Sequence, residues 1–579
     1  MKKSKWLLRF LAGAAIVSVL AVAATSLWRV NEVSGQVTSA GKPLSDTVVS
    51  LKATGIQTKT DASGRFVLNS FPGKFYVTVT AWKDGYYIAG QTVFPWKRDI
   101  TLELSSLNMT DNKNYQWLPP VSENRSLVLN VLARVGLPVA ARLSFQNLFL
   151  PLSAKLPLGC ADCHPNVTEQ YVNEAHARGS KNIIFQTVYN GTDTQGHRSP
   201  LTSYGVSVDY GRFPLRPDTT KNWYGPGFKL DFPDQAGNCA NCHMPGESIN
   251  QPNNTDVNAK PATILQSTQC DFCHKTADVI VNPTTGLPND NMAGVLSMKF
   301  TRPSGSAQVF YGPYVDVDVG PDTFSPLQNE SRFCAGCHNA SFWGTPIYQS
   351  YAEWLKSPYP GEGVTCQACH MKPDGKTTNF APGRGGIERD PQTIFSHSFP
   401  GAADVDLLQH TAKLELKAVR NGDSINVEAR VTNENGGHDI PTDEPMRNMI
   451  LVISATDSTG KQLVQLDNQK VPAWGGTGTA MNDYAGKPGK GYAKVLQELW
   501  TEVSPTIAYW RQTKILEDTR IPARATDVTN YRFQSPASGN ITIEAILIYR
   551  RAFIELATVK KWDLSDIEMN RTTVTLKPQ

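Results

Sequence analysis

Hydrophobic and polar residues alternate near the beginning of the chain, over residues 31–106. The alternation is carried by "GQVTSAGKPLSDTVVSLKAT" and "TKTDASGRFVLNSFPGKFYVTVTAWKDGYY". Apolar residues at every second position, interrupted by Gly- and Asp-rich turns such as residues 61–64, are typical of half-buried β-strands. The pattern therefore predicts an N-terminal all-β sandwich.

The same alternation returns over residues 409–579. Four segments carry it, namely "TAKLELKAV", "SINVEARVTN", "MILVISATD" and "NITIEAILIY", and turns rich in Gly, Ser and Asn lie between them. We predict a second β-sandwich here, with His410 at the start of its first strand. His438, in "ENGGHDIPTDEP", is predicted to lie in one of its loops.

The middle of the chain lacks a clear period. Residues 159–408 contain many Gly, Pro and Asn residues, and we predict a loop-rich, mainly helical domain whose core is filled by something other than side chains. A connector over residues 107–158 precedes it. Its segment "LVLNVLARVGLPVAARLSFQNLFL" is apolar but interrupted by Gly136 and Pro138. Such a segment either lies on a membrane surface or packs against its own protein.

Residues 1–30 have the features of an export signal. A basic lead, "MKKSKWLLRF", overlaps the start of an uncharged run over residues 10–27. This run is long for the core of a signal peptide and short for a membrane-spanning helix, so a cleaved signal peptide and an uncleaved membrane anchor both fit it. Either one places the rest of the chain outside the cytoplasm, in the periplasm or at the cell surface.

Composition narrows the class of protein. A chain of 579 residues is too long for one hydrophobic core, so several folded units are expected. Charged residues make up 19% and hydrophobic residues 40%, as in ordinary globular proteins. The formal net charge of +4 and the absence of a basic run exclude nucleic acid as a partner.

All ten cysteines fall into Cys-x-x-Cys pairs, and a histidine follows each pair directly. The motifs are CADCH (Cys160, Cys163, His164), CANCH (Cys239, Cys242, His243), CDFCH (Cys270, Cys273, His274), CAGCH (Cys334, Cys337, His338) and CQACH (Cys366, Cys369, His370). This is the signature of covalent haem attachment, in which two thiols bond the haem and the histidine reaches its iron. Zinc sites and disulfides also use cysteine pairs, but five pairs do not divide two by two, and neither alternative accounts for the histidines. We predict five covalently attached haem c groups.

Five histidines remain for the second axial position on the five irons: His176, His197, His397, His410 and His438. His176 follows His164 by twelve residues in a predicted helix. This spacing corresponds to roughly 18 Å of helix rise, so His176 is expected to bind the iron of a different haem.

The other four histidines differ in their surroundings. His397, in "FSHSFPG", is flanked by phenylalanines, which suit the edge of a haem, and His438 follows two glycines that let the backbone come close to a flat ring. We expect both to be ligands. His197 lies in the polar loop "DTQGHRSP", where a solvated histidine is an equal alternative, and His410 could face either way.

Several of these segments resemble the multihaem cytochromes c of the hydroxylamine-oxidoreductase and cytochrome c-554-like class. The resemblance covers residues 160–445 and is carried by "CADCHP" with "HAR" at 176–178, "CAGCHNASFWG", "CQACHMKP", "HSFPG" and "GGHDIPT". It implies closely packed haems, mostly bis-histidine coordination, and electron transfer as the commonest role. Members of this class often have glycine after the Pro-Thr pair, where this chain has Asp443.

The N-terminal strands resemble a second family, the carboxypeptidase-regulatory-like (transthyretin-like) β-sandwich. The matching residues are Gly35, "GKPL" at 41–44, "TD" at 60–61, "GRF" at 64–66 and "GY" at 85–86. This resemblance implies a scaffold or adhesion module without catalysis.

Three functional hypotheses follow. The first is an electron-transfer relay that connects redox partner proteins, a membrane donor and a periplasmic or outer acceptor, with no catalytic residue of its own. The second is an oxidoreductase of small nitrogen or sulfur compounds, which requires one haem with an open sixth position because His197 or His410 does not bind. The third is a homo-oligomeric filament in which a histidine binds the iron of a neighbouring copy.

Overall fold

The computed structural model describes residues 32–69, 76–95, 97–121, 159–304, 307–318, 320–382 and 386–578. The chain divides into two compact units. The first contains the residues up to Gln116 together with Phe300–Gln328 and Gly375–Ile394, and the second contains Trp117–Lys299, Asn329–Asp374 and Phe395–Gln579. All five Cys-x-x-Cys-His motifs therefore belong to the second unit, together with the C-terminal strands.

Two β-sheets form the N-terminal part of the first unit. Their strands are β1 (Glu32–Ser39), β2 (Lys42–Pro43), β3 (Val48–Leu51), β4 (Gln57–Lys59), β5 (Arg65–Asn69), β6 (Val77–Trp82), β7 (Ala89–Val93) and β8 (Ile100–Glu103). One sheet has the order β2-β1-β5 with β8 parallel to β1, and the other has the order β4-β3-β6-β7. Alternate residues such as Phe66 and Leu68 of β5 share one apolar core with Val49 and Val79 of the other sheet. The strands predicted at this end of the chain are confirmed.

The later segments of the first unit carry buried ion pairs. Strands Phe310–Gly312 and Asp322–Phe324 pair in parallel. Asp318 binds Lys52, and Asp316 forms a two-bond ion pair with Arg389 at 2.8 and 3.0 Å. The two basic side chains are both less than a tenth exposed, so the pairs fix these loops within the unit.

Short helices joined by loops make up the motif-bearing part of the second unit. The α-helices are Pro165–Val172, Ile183–Asn190, Phe228–Asp231, Ala240–His243, Pro245–Ser248, Cys270–Lys275, Arg332–His338, Ser350–Lys356, Cys366–His370 and Val405–Thr411. Segments of 3-10 helix lie at Cys160–Asp162, His176–Lys181 and Gly294–Ser297, and short strands lie at Tyr204–Ser207, Gly211–Pro214, Thr276–Val279, Ala340–Phe342 and Thr345–Tyr348. Two more 3-10 segments, Pro326–Asn329 and Pro391–Thr393, and the strand Met298–Phe300 lie wholly or partly in the first unit. None of the helices in the described residues is longer than eight residues. Helices this short bury few apolar side chains, as expected for a region whose core is built around another group.

Two further sheets form the C-terminal part of the second unit. Their strands are β9 (Ala412–Asn421), β10 (Ser424–Asn433), β11 (Asn448–Asp457), β12 (Gly489–Glu498), β13 (Thr513–Asp518), β14 (Thr526–Gln534), β15 (Ile541–Arg550) and β16 (Ile567–Leu576). The sheets have the orders β9-β10-β14 and β13-β12-β11-β15-β16. Val427 and Phe533 of the smaller sheet share a core with Leu451 and Ile543 of the larger one. The predicted C-terminal strands are thus confirmed.

The larger of these two sheets also contacts the motif-bearing region with its other face. Ile450 of β11 and Trp562 share an apolar cluster with Ile184 of helix Ile183–Asn190. The helix Ile554–Lys560 ends at a buried lysine, Lys560, whose ammonium donates to the carbonyls of Thr187 (3.0 Å), Thr192 (3.1 Å) and Pro226 (2.7 Å). The C-terminal sheets are therefore anchored to the region that carries the motifs.

Two local predictions differ from the structure. The helix after Pro165 ends at Val172, because the Glu174 carboxylate accepts the backbone N–H groups of His176 and Ala177 and starts a new turn there. His410 lies in the last turn of helix Val405–Thr411 rather than at the start of a strand.

Other predictions fall outside the described residues. These are the export signal over residues 1–30 and most of the connector over residues 107–158. Within the described part of the chain, no helix has the length and apolar character needed to cross a membrane.

Candidate haem sites

Each Cys-x-x-Cys-His motif lies on a single helical turn. The backbone N–H of His164 donates to the carbonyl of Cys160 (2.9 Å), and that of His243 donates to the carbonyl of Cys239 (3.1 Å). Residues three and four apart share one face of a helix, so two thiols and one imidazole point to the same side. The ten cysteines are half-buried. This donor set fits a haem held by two thioether bonds, with the motif histidine as an axial ligand.

The motifs lie side by side. Three pairs of thiols from different motifs are close neighbours, which are Cys160 with Cys270, Cys242 with Cys337, and Cys334 with Cys366. Cys273 of the third motif also lies within electrostatic reach of Cys337. The fourth motif therefore lies next to the second, third and fifth.

His176 and His338 face each other. Their ring centroids are 6.3 Å apart and their planes form an angle of 74°. Two nitrogens on opposite sides of one metal ion lie about 4 Å apart. With C–N bonds of about 1.3 Å, the centre of an imidazole lies roughly 1.1 Å behind its nitrogen. One metal ion would therefore place two ring centres roughly 6.2 Å apart, so His176 and His338 fit the two axial positions of one iron.

His370 and His438 form a second pair with the same separation. Their ring centroids are 6.4 Å apart, and their planes are nearly parallel, at 10°. The Nδ1 atom of His370 contacts the carbonyl of Pro400 at 2.7 Å, and that of His438 contacts the carbonyl of Asp439 at 3.0 Å. Hydrogen bonds of this kind fix the orientation of an imidazole ligand.

The loop that carries His438 is held by a buried asparagine. The amide nitrogen of Asn433 donates to the carbonyls of His438 (2.8 Å) and Ile521 (3.0 Å), and its amide oxygen accepts the backbone N–H of Gly436 (3.0 Å). A Cβ at Gly436 would lie 2.4 Å from that amide oxygen, whereas one at Gly437 would make an ordinary contact. The first glycine is therefore needed for the fit against Asn433.

The outer nitrogens of the His176–His338 pair contact carboxylates. His176 Nδ1 lies 2.9 Å from Glu174 Oε2, and His338 Nδ1 lies 2.9 Å from Asp443 Oδ2. Burial would raise the pKa of Asp443, but the hydrogen bond to His338 and the charge of that imidazole hold it well below its usual value. A carboxylate thus lies behind the outer nitrogen of each ring in this pair.

His397 lies next to two motif histidines. Burial, together with the nearby imidazole of His274 and the more weakly acting His164, lowers the pKa of His397 to about 3. Its backbone N–H donates to the side chain of Gln170 (2.8 Å), and its ring contacts that of Phe399 edge to face at 6.1 Å. The structure thus places His397 beside the first and third motifs.

His243 has different surroundings. Its ring is stacked on that of Phe185, with centroids 3.7 Å apart and planes 3° apart. Burial lowers the pKa of His243 to about 4, opposed by a hydrogen bond with the backbone of Gly179. Among the residues that the structure describes, no second histidine ring is in contact with His243.

His197 and His410 contact other residues instead of motif histidines. His197 contacts Asp193 (2.8 Å) and is stacked on Tyr224 at 5.3 Å. His410 is three-quarters exposed, and its Nδ1 contacts the carbonyl of Asp406 at 2.7 Å. In the described part of the chain, neither ring contacts the ring of a motif histidine, so the two remain predicted ligands only.

The sequence did not indicate the roles of four residues at these sites, namely Glu174, Phe185, Asn433 and Asp443. Glu174 precedes His176 by two residues, and that proximity was a usable signal. Asp443 is far from His338 along the chain, so only the fold brings them together.

Comparison with known proteins gives one family match and weak structural similarities. Residues 228–275, which include the second and third motifs, match the family model described as cytochrome c554 and c-prime. A penta-heme cytochrome c552 from Thermochromatium tepidum is 17% identical, with a TM-score of 0.47, over 72% of this chain and 97% of that one. A type II cohesin-X-dockerin complex from Acetivibrio cellulolyticus is 15% identical, with a TM-score of 0.12, over 13% of this chain and 58% of that one. The comparison with curated proteins gave no match. The family match and the motifs support a multihaem c-type cytochrome that transfers electrons.

Proposed function

We propose that this chain carries five covalently attached haem c groups and relays electrons between partner proteins outside the cytoplasmic membrane. The observation that carries the proposal is the pair of imidazole separations, 6.3 Å for His176–His338 and 6.4 Å for His370–His438. Both equal the spacing that one six-coordinate iron requires. An iron with both axial positions filled by histidine exchanges electrons and does not bind a substrate.

The chain's own residues prepare these sites for repeated electron exchange. Bound haem supplies a one-electron iron couple whose potential depends on its ligands and their surroundings. The carbonyls of Pro400 and Asp439 hold the imidazoles of His370 and His438, and Asn433 holds the loop behind His438. Ligands that are fixed in advance change little when the charge on the iron changes. The contacts among motifs, such as Cys242 with Cys337, provide short routes from one haem to the next.

Export supports the same role. The basic and apolar N-terminal residues and the five haem-attachment motifs fit a periplasmic or cell-surface protein, either free or held at the membrane by its N-terminus. In this proposal, the two sets of sheets would dock the redox partners.

Haem counting tests the proposal directly. Intact-mass spectrometry and haem absorbance per chain should give five haems in the exported protein. Replacing Cys366 and Cys369 with alanine should remove one haem, and the matched change of Ser357 and Ser398 to alanine should remove none. Fewer than five haems in the unchanged protein would contradict the proposed stoichiometry.

A second function is favoured by the surroundings of His243. Since no second histidine ring contacts it in the described residues, the haem attached at Cys239 and Cys242 is a candidate for an open sixth position. Such a haem could reduce or oxidise a small nitrogen or sulfur compound, while the other four supply or remove electrons.

The two functions differ in spin state. Low-temperature electron paramagnetic resonance of the ferric protein should show only low-spin haems if the relay is correct. A high-spin signal from one haem in five, converted to low spin by cyanide, would instead identify an open iron. That signal should then disappear in a variant that lacks Cys239 and Cys242.

A further inference from the structure

Both imidazoles of the His176–His338 pair are in contact with carboxylates through their outer nitrogens. Glu174 Oε2 lies 2.9 Å from His176 Nδ1, and Asp443 Oδ2 lies 2.9 Å from His338 Nδ1. When the inner nitrogen faces an iron, Nδ1 carries the proton and donates it to the carboxylate. One iron would therefore have a carboxylate behind each of its two axial ligands.

These carboxylates are buried and held in place. The side chain of Glu174 is 2% exposed, and that of Asp443 is 10% exposed. Glu174 accepts the backbone N–H groups of His176 (2.7 Å) and Ala177 (2.8 Å), and Asp443 accepts that of Ser350 (3.0 Å). Their negative charges thus stay at fixed positions behind the imidazoles.

No basic side chain neutralises these charges directly. Within the described residues, the ion-pair partner of Glu174 is His176 and that of Asp443 is His338, and neither carboxylate has a lysine or arginine nitrogen within 4.0 Å. The charge of Arg447 also acts on Asp443, but from beyond ion-pair distance. The group in direct contact with each carboxylate is therefore the imidazole.

The other histidine pair has neutral acceptors. His370 donates to the carbonyl of Pro400, and His438 to the carbonyl of Asp439. A carbonyl withdraws much less proton density from an imidazole than a carboxylate does. The two pairs thus share their spacing but differ in the charge behind their ligands.

We propose that Glu174 and Asp443 are positioning residues that give both axial imidazoles partial imidazolate character, and that they lower the reduction potential of the haem at Cys334 and Cys337 below that of the haem at Cys366 and Cys369. This inference rests on the proposed haem sites. Electron-rich ligands stabilise the ferric state, because they offset its extra positive charge.

The proposed difference in reduction potential matters because of where the haem at Cys334 and Cys337 lies. The fourth motif lies next to the second, third and fifth, through Cys337 with Cys242, Cys337 with Cys273, and Cys334 with Cys366. A low-potential haem at this junction holds an electron only briefly and passes it to a neighbour. The two carboxylates therefore favour onward transfer from the centre of the cluster.

The backbone conformation at Asp443 allows a conservative substitution. Its φ of +57° lies in the left-handed region, which glycine adopts without cost and aspartate adopts more easily than most residues. Asp443→Gly should therefore remove the carboxylate and keep the loop. Glu174→Gln keeps the shape of the side chain and one acceptor oxygen, which can take the backbone N–H of His176 or that of Ala177 but not both, because these two groups donate to different carboxylate oxygens.

The test is a redox titration of the purified holoprotein followed by electron paramagnetic resonance. The 74° angle between His176 and His338 should give this haem a strongly axial low-spin signal that separates it from the parallel pair. In Asp443→Gly and in Glu174→Gln, we expect the midpoint potential of that signal to rise by about 59 mV or more. For one electron, this shift corresponds to a tenfold change in the ratio of oxidised to reduced haem at a given potential. The double variant should rise further. Asp439→Asn, which removes a carboxylate without touching an outer nitrogen, should move that midpoint less than either single variant.

The possible outcomes distinguish a failure of the proposed carboxylate effect from a failure of the proposed haem sites. A strongly axial signal whose midpoint is unchanged in both single variants overturns the role of the carboxylates and leaves the haem sites intact. The absence of any strongly axial signal from the unchanged protein overturns the His176–His338 pairing itself. Equal rises in the variants and in Asp439→Asn would show a general charge effect and would also overturn the inference.

Discussion

The imidazoles of His370 and His438 lie nearly parallel, 6.4 Å apart, although one belongs to a haem-attachment motif and the other to a loop of the C-terminal sheets. A single iron between them would join the two parts of the second unit by a pair of metal–nitrogen bonds. The same loop also supplies Asp443 to His338, so it serves two haem sites at once. With the proposed pairing, the C-terminal sheets would form part of two haem sites.

The first prediction concerns the shapes of the low-spin signals. Nearly perpendicular imidazole planes, as for His176 and His338, leave two iron d orbitals close in energy and give a strongly axial resonance. Parallel planes, as for His370 and His438, separate those orbitals and give a rhombic resonance. Electron paramagnetic resonance of the ferric protein should show both kinds.

Single variants assign these signals. His176→Met should remove the strongly axial signal and leave the rhombic signal of the other pair. His438→Met should remove part of the rhombic intensity and leave the axial signal. Replacement of His197 by alanine is the control, since its ring contacts Asp193 and Tyr224, and it should change neither signal. Loss of the axial signal in His438→Met would contradict the pairing.

The second prediction concerns Asn433, which is fully buried behind His438. Asn433→Ala leaves the carbonyl of His438 and the backbone N–H of Gly436 without this partner, whereas the carbonyl of Ile521 keeps the N–H of Ile440. Each unsatisfied buried group costs about 1–3 kcal/mol. The loop should loosen, and the haem at Cys366 and Cys369 should lose part of its six-coordinate signal. Haem content should stay the same, because the thioether bonds do not depend on the loop.

Asn435→Ala is the matched control for this change. Its side chain is exposed and donates only to the carbonyl of His410 (2.8 Å). It should leave the spin state and the midpoint of thermal unfolding nearly unchanged. Equal effects of the two substitutions would show that Asn433 has no special role in holding His438.

The sequence predicts local features of this molecule better than contacts between distant segments. The five motifs and the strands at both ends follow from patterns within a few residues, such as the alternation over β15. The helix that ends at Thr411 was missed because its residues continue into the apolar pattern of β9. Asp404, whose side chain accepts the N–H of Leu407 (2.8 Å), was the signal of a helix start there.

The pairing of histidines could not be read from the sequence. His176 begins a 3-10 helix after a break at residues 173–175, and only the fold brings it opposite His338. The contact between Asp443 and His338 has the same origin, because it joins a loop of the C-terminal sheets to a motif helix. The spacing argument for His176 assumed one helix from residue 165 onwards, and that helix ends at Val172, so local spacing did not identify its partner.

The third prediction concerns a buried ion network that ties the C-terminal sheets to the motif-bearing region. Arg511 binds Asp231 through two bonds of 2.7 Å and Glu498 through one of 2.6 Å, and all three side chains are less than a tenth exposed. Arg511→Met leaves two buried carboxylates without their cation. Breaking a buried pair in this way costs about 3–5 kcal/mol. Urea unfolding followed by circular dichroism should show a lower midpoint.

An exposed ion pair provides the comparison. Lys221 lies 3.3 Å from Asp218, and both side chains are largely exposed. Lys221→Met should leave the unfolding midpoint nearly unchanged, because water screens such pairs. A midpoint for Arg511→Met that equals that of Lys221→Met would contradict the structural role of the network.

The fourth prediction concerns the dependence of stability on pH near Lys494. This buried ammonium donates to the carbonyls of Pro346 (3.2 Å) and Ile347 (2.6 Å). Burial, reinforced by the charge of Arg520, lowers the pKa of Lys494 to about 8. In the unfolded chain the pKa of a lysine is about 10.4. Between these two values the unfolded chain binds more protons than the folded one, so this lysine makes the free energy of unfolding rise with pH.

Lys494→Met should flatten that rise. The whole effect of the shift is about 3 kcal/mol between pH 8 and pH 10.4, and below pH 8 the slopes of the variant and the unchanged protein should agree. Urea unfolding at several pH values measures the difference, and Lys417→Met, on an exposed position of β9, provides the control. A variant whose free energy of unfolding rises as steeply as that of the unchanged protein between these pH values would show that Lys494 keeps its proton over the whole range. Its two carbonyl contacts would then hold the charged form more strongly than burial disfavours it.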